Sequence, residues 1–138
     1  MPDLIRLSFT IDRKLLEHLE RLLHESGYGN RSEFIRDLVR NRLVDREWEQ
    51  DQEVVGTITI VFDHHRRGLT EKLTALQHQF EGAILANTHV HLDERICVEA
   101  ILVRGRASQI AELGHTIRQL KGVLKGELSL ASVGRDLR

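Results

Sequence analysis

The chain is short of several things at once. It holds one cysteine in 138 residues, and a single thiol cannot be half of an internal disulfide, which excludes the stapled class of small secreted domain. No run approaches the roughly 18 apolar residues that a membrane-spanning helix needs. The opening Met-Pro-Asp-Leu-Ile-Arg has neither the basic start nor the apolar stretch of an export leader. A cytoplasmic protein in a reducing compartment is expected. The chain also lacks an excess of charge: at a formal net charge of −1 it has no global basic footprint, so binding to a nucleic acid would require cationic groups placed locally.

What is present begins with a strand. Ile5, Leu7, Phe9 and Ile11 alternate with Arg6, Ser8 and Thr10, the period of a half-buried strand. Asp12 stands where an N-cap belongs, ahead of a stripe of Leu15, Leu16, Leu19, Leu22 and Leu23, and Gly27 ends that helix. Asn30, with Glu33 three residues on, forms a capping box for a second helix whose apolar face is Phe34, Ile35, Leu38, Val39 and Leu43. One strand cannot satisfy its own edge, and two short helices cannot bury so many leucines. A second copy supplies both: two strands pair antiparallel into a ribbon backed by four helices, with Arg6, Ser8 and Thr10 on the outer face. Such a ribbon fits the DNA major groove. The start of the second helix, at Asn30, Arg31 and Ser32, offers free backbone N–H groups to a phosphate. The charged run Asp45 to Glu53 reads as linker or frayed helix end, with Trp48 capping an interdomain contact.

The remainder reads strand, helix, strand, strand, helix, strand: Val54 to Phe62, a stripe of Leu69, Leu73, Leu76 and Phe80, a hairpin, a stripe of Ile110, Leu113, Ile117 and Leu120, and a closing strand from Val123 to Ala131. This is the βαββαβ order of ferredoxin-like domains. The chain is therefore expected to be an α+β protein, with a DNA-binding and dimerisation domain at 1–50 and a ferredoxin-like domain at 54–138. The hairpin carries the chemistry. His89 and His91 share one face of its first strand, and Cys97 and Glu99 share one face of its second. Two imidazoles and a thiolate make a coordination shell with one member missing. Completed by a nitrogen, it suits tetrahedral zinc or square-planar nickel(II) or copper(II). Glu99 is the acceptor expected to orient an imidazole. Four protein ligands would leave no open position, which argues for sensing or structure and against an enzyme. His64 and His65 follow a strand end and read as a solvated loop with a weak secondary metal site.

Gly27-Tyr28-Gly29-Asn30-Arg31-Ser32-Glu33 and Ile35-Arg36-Asp37, together with Leu76-Gln77-His78, Thr88-His89-Val90-His91 and Cys97-Val98-Glu99, resemble the nickel-responsive transcription regulators, NikR, along nearly the whole chain. The resemblance implies a ribbon-helix-helix domain followed by an ACT-type ferredoxin-like domain, and a homotetramer built as a dimer of dimers. Nickel would be bound by His89, His91 and Cys97 of one subunit and His78 of another, and would promote repression at a palindromic operator, controlling nickel uptake. It further implies a potassium ion held in part by Glu33 and Asp37, which otherwise read as a capping residue and an ion-pair partner of Arg36 or Arg40.

Helix phase points to the same bridging. His78 lies nearly opposite its helix's apolar stripe, and the hairpin ligands are expected on the strand face opposite Val90, Val98, Ala100 and Leu102, taken as the residues packed beneath the helices. On that reading His78 and the hairpin donors stand on opposite sides of a two-layer domain, about 10 Å or more apart, and meet only between chains. Two departures from relatives are visible: Phe62 where several carry tyrosine, and Lys125 where some carry histidine. The alternative reading is a ribbon-helix-helix regulator with a structural zinc or copper ion, whose C-terminal domain senses another ligand or partner.

Overall fold

The computed structural model describes residues 3–138, and the chain divides into two compact units: residues up to Leu43 together with Asp136–Arg138, and Val44–Arg135.

In the first unit, α1 spans Arg13–Glu25, and the Asp12 carboxylate accepts the Leu15 N–H at 2.9 Å, the capping expected of that residue. The helix closes where the amides of Gly27 and Tyr28 reach back to the carbonyls of His24 and Leu23 at 3.1 Å each. That closure needs the left-handed conformation at Gly27, whose φ is 73°. The second helix, α2, spans Arg31–Glu49, and the Asn30 side chain accepts the Glu33 N–H at 2.9 Å. Residues 5–11 form no ladder in the single chain. A strand exists only against a partner strand, and among the described residues none lies alongside it. Leu7 is 85% exposed and Phe9 65%, so the apolar side of this stretch is uncovered. With Leu16, Leu19 and Ile35 it lines a groove of about 810 Å³.

The helix does not stop where the charged run begins. Residues 44–49 are its last turns and belong to the second unit, so of the two readings of the charged run the helix end holds as far as Glu49, and the units divide ahead of it. Trp48 likewise is no cap between domains. Its indole N–H donates to the Ala131 carbonyl at 2.9 Å, and its ring packs on the core of the second unit. Gly56 makes room for that ring: a Cβ there would come within 3.2 Å of Trp48, Leu128 and the Ser129 carbonyl.

The second unit continues with β1 (Glu53–Asp63), α3 (Leu69–Gln79), a single 3₁₀ turn (Glu81–Ala83), β2 (Ile84–His91), β3 (Ile96–Arg106), α4 (Ala107–Arg118) and β4 (Val123–Leu130). All pairings are antiparallel, in the order β2-β3-β1-β4, which is the ferredoxin-like arrangement expected from the element order. The core is Val54, Ile58, Ile60 and Phe62 of β1 and Cys97, Ile101 and Val103 of β3, covered by Leu69 and Leu73 of α3 and by Ala107, Ile110, Leu113 and Ile117 of α4.

This core reverses one expectation. The covered face of β3 carries Cys97, Glu99, Ile101 and Val103, whereas Leu102 and, on the neighbouring β2, Val90 lie on the open face at 38% and 48% exposure. Alternation tells which residues share a face, not which face the helices cover. Cysteine is among the most readily buried residues, and here its thiol belongs to the core.

Candidate metal centre

The hairpin donors are held by local structure. β2 is an edge strand, and its register on β3 sets His89 opposite Glu99 and His91 opposite Cys97. All four therefore stand on the helix-covered side. The tight connection between the strands is pinned by Asp93, whose carboxylate accepts the N–H groups of Arg95 and Ile96 at 2.7 Å each, while the Leu92 amide donates to the Ile96 carbonyl at 2.8 Å.

His91 Nδ1 lies 3.1 Å from Cys97 Sγ. Two donors that close can share one ion at bond lengths of about 2.0 Å to nitrogen and 2.3 Å to sulfur, so the pair fits a thiophilic metal. The His89 ring is 5.0 Å from that of His91 and meets Phe62 edge-on at 5.7 Å; the phenylalanine at this position backs the imidazole with an apolar ring. Among the described residues the group of three donors whose ligand atoms all lie within 4.8 Å of one another is His64, His91 and Cys97.

His64 reaches this place through the hairpin turn. Its backbone N–H donates to the Arg95 carbonyl at 2.9 Å, and the neighbouring Asp63 carboxylate accepts from the Arg95 guanidinium at 2.6 Å. These bonds tie the end of β1 to the turn between β2 and β3. The loop reading of His64 is thus half right: it leaves the strand, but its ring centre is 5.2 Å from that of His91. The sequence signal was the Asp63/Arg95 charge pair, which is visible only once the register of β1 on β3 is known.

The electrostatics favour a protonated thiol before metal enters. Burial pushes the Cys97 thiol up, and the charges of Asp93 and Asp63 add to the effect. Those two carboxylates are themselves held below the usual range, Asp63 by the Arg95 guanidinium and Asp93 by the backbone N–H groups it accepts.

His78 is exposed on α3, as its phase requires. The premise that it faces away from the hairpin donors fails with the reversed sheet face. His78 lines the same cleft, of about 440 Å³, as Leu73, Gln77, His89 and Glu99, although it is not part of the three-donor group. Glu99 is buried, and one of its oxygens accepts from Gln77 at 3.0 Å and from Asn87 at 2.8 Å. Asn87 also donates to Gln77 at 2.9 Å. Its partners are thus two amides that sequence reading passed over rather than an imidazole. The amides tie α3 to β2 and so fix the cleft between His78 and His89.

In the first unit Arg6, Ser8, Thr10 and Ser32 are exposed. Asn30 is spent on its cap, and Arg31 is ion-paired with Glu20. Asp37 accepts from the Tyr28 hydroxyl at 2.6 Å and from Arg40 at 3.0 Å, so both its oxygens are engaged, and Glu33 is the helix residue whose amide Asn30 caps.

A chain of this kind, an apolar-alternating segment and two helices followed by a ferredoxin-like unit that carries clustered histidine and cysteine donors, has the features of the metal-binding ribbon-helix-helix proteins. Residues 55–131 match the family described as the NikR C-terminal nickel-binding domain, and residues 5–46 match the ribbon-helix-helix protein, copG family. Curated proteins carrying the description "nickel-responsive regulator" are similar throughout. The one from Pelobacter propionicus is 44% identical over 99% of both chains, that from Pyrococcus abyssi 44% identical over 98% of this chain and 99% of its own, and that from Syntrophus aciditrophicus 41% identical over 98% of both. The chain belongs to the nickel-responsive regulator family. Among solved structures, an uncharacterised protein from Thermotoga maritima superposes with a TM-score of 0.53 at 19% identity, covering 57% of this chain and 98% of its own; that likeness speaks to the fold alone. Among the described residues no helix is long and apolar enough to cross a membrane.

Proposed function

We propose that this protein is a cytoplasmic, nickel-dependent repressor in which Ni(II) held between subunits of a homotetramer promotes binding to a palindromic operator and so limits nickel uptake. The observation that carries the reading is the approach of His91 Nδ1 to Cys97 Sγ, 3.1 Å, with His89 two residues from His91 on the edge strand β2, in a chain that also bears a ribbon-helix-helix unit. His89, His91 and Cys97 are assigned to nickel. The fourth donor, His78, is assigned to a neighbouring subunit, because β2 is an edge strand and leaves its imidazoles at the rim of the sheet, where a second subunit can reach. Nickel would supply a thiolate- and imidazole-bound joint between subunits, and such a joint biases their arrangement only by binding one state better than the other.

The uncovered apolar side of residues 5–11 supports a second copy pairing along it, which leaves Arg6, Ser8 and Thr10 to the bases and Asn30, Arg31 and Ser32 to the phosphates. Potassium at Glu33 and Asp37 belongs to the same proposal and requires Asp37 to exchange a bond from Tyr28 or Arg40 for the cation. The test is nickel-dependent retention of DNA fragments selected from the host genome. His89→Ala and Cys97→Ala are each expected to abolish it, and retention in both variants refutes the reading. Replacing Arg6 by Ala is expected to cost about 1–3 kcal/mol at one base position; a loss uniform over all sequences would make Arg6 a phosphate contact instead.

A further inference from the structure

We propose that residues 131–137 are a second tether between the two units, one that keeps α2 helical where the chain passes from unit to unit and so lets the metal-binding unit act on the DNA-binding unit. The chain leaves the first unit inside α2, between Leu43 and Val44, and returns to it between Arg135 and Asp136. One contact within each unit holds the returning segment to α2. In the second unit the Trp48 indole N–H donates to the Ala131 carbonyl at 2.9 Å, and the Ala131 amide in turn donates to the Val55 carbonyl of β1 at 2.9 Å. In the first unit Arg40 Nε donates to the Leu137 carbonyl at 3.2 Å.

The returning segment is fitted to the stretch of helix that it accompanies. Between Arg40 and Trp48 the helix advances about 12 Å, whereas a chain from Ala131 to Leu137 reaches about 20 Å when extended. A turn takes up the excess: the Gly134 amide donates to the Ser132 hydroxyl at 2.9 Å, and Gly134 has a φ of 80°. Arg135 then pairs with Glu53 of β1 at 3.4 Å. Ser132, Val133, Gly134 and Leu137 are half-buried, so the segment is packed on the protein.

The helix has need of such support. Asn41, Arg42, Asp45 and Arg46 are exposed, and Leu43 and Val44 are half-buried. Most helical stability in proteins comes from a packed face, and a turn with so little of one is marginal in water. A frayed turn there would act as a hinge, and an ion bound in the second unit could then bias nothing in the first, because coupling needs an element that both ends share. The transmission half of the inference rests on the reading of the protein as a nickel-dependent regulator; the support of the helix does not.

The experiment measures amide hydrogen exchange over residues 41–47 in full-length, metal-free protein, and nickel-dependent retention of the DNA fragment that wild type selects. Gly134→Val strains the turn, because a β-branched residue resists a positive φ, yet a Cβ there meets nothing within 4 Å. Arg40→Met removes the donor to Leu137. Both variants are expected to exchange about tenfold or more faster over residues 41–47 while β1 and β3 keep their wild-type rates. Nickel affinity should be unchanged, and the factor by which nickel raises DNA affinity should fall about tenfold or more. That factor is a ratio, so the charge lost in Arg40→Met cancels from it. Wild-type exchange over residues 41–47 in either variant, equal acceleration in β1 and β3, or an undiminished nickel factor overturns the proposal. The nickel reading fails separately: wild type whose DNA affinity does not respond to nickel removes that reading, while the exchange rates still decide whether the tether supports the helix.

Discussion

Nickel binding at Cys97 should couple to pH in a way that the burial of the thiol determines. The Cys97 side chain is fully buried, and burial, reinforced by Asp93 and Asp63, raises its pKa. A metal takes the thiolate, so each ion bound must expel the proton that this environment retains. As long as the pH is below the pKa of the folded thiol, the affinity should rise tenfold per unit, about 1.4 kcal/mol. A thiol at the ordinary value of about 8.5 would begin to saturate, and its contribution between pH 7 and 9 would be about 25-fold; a thiol raised above it contributes more, to a ceiling of about 100-fold over the same interval. The assay is competition with a chelator of known proton dependence, with calorimetry in buffers of different ionisation heat to count the proton released. A plateau reached before pH 9, or a gain of about 25-fold or less, refutes the buried-thiol argument. The sign for the metal-free fold is opposite. A pKa raised on folding adds stability that is fully present below the unfolded value of about 8.5 and is lost as the pH climbs through the folded one.

Two further outcomes follow from particular contacts. Glu99→Ala removes the acceptor of both the Gln77 and Asn87 amides inside the cleft; losing two such bonds at a buried site should cost about 2–4 kcal/mol, and Glu99→Gln, which keeps an acceptor oxygen, should cost less. Thermal unfolding checks this, and a loss under about 1 kcal/mol for the alanine variant contradicts it. Tyr28→Phe should let the Asp37 carboxyl, held low first by the Tyr28 hydroxyl and then by Arg40, rise toward the ordinary range, so that the Asp37 contribution to stability, present above the unfolded value of about 3.9, fades at a higher pH as acid is added. Titration of its carboxyl carbon by nuclear magnetic resonance measures the shift, and an unmoved midpoint refutes the assignment of its cause.

The sequence by itself determined the order of the helices and of the strands of the second unit, because hydrophobic period and caps are local. Asp12 and Asn30 cap the helices they were expected to cap, and Leu69, Leu73, Ile110, Leu113 and Ile117 enter the core as their spacing requires. It also determined the donor types and their pairing by face, His89 with His91 and Cys97 with Glu99, since alternation along a strand is a property of the backbone. Which face lies under the helices was decided only by tertiary structure. Both faces of β3 are apolar enough to be buried, and the choice depends on how β1 and the two helices stack on it; the resulting core claims the thiol and leaves Val90 and Leu102 outside. Trp48, read as a joint, is drawn onto the sheet by the space that Gly56 leaves. His64 joins His91 and Cys97 because the register of β1 on β3 brings Asp63 to Arg95, a contact 32 residues apart in the chain that no local period announces.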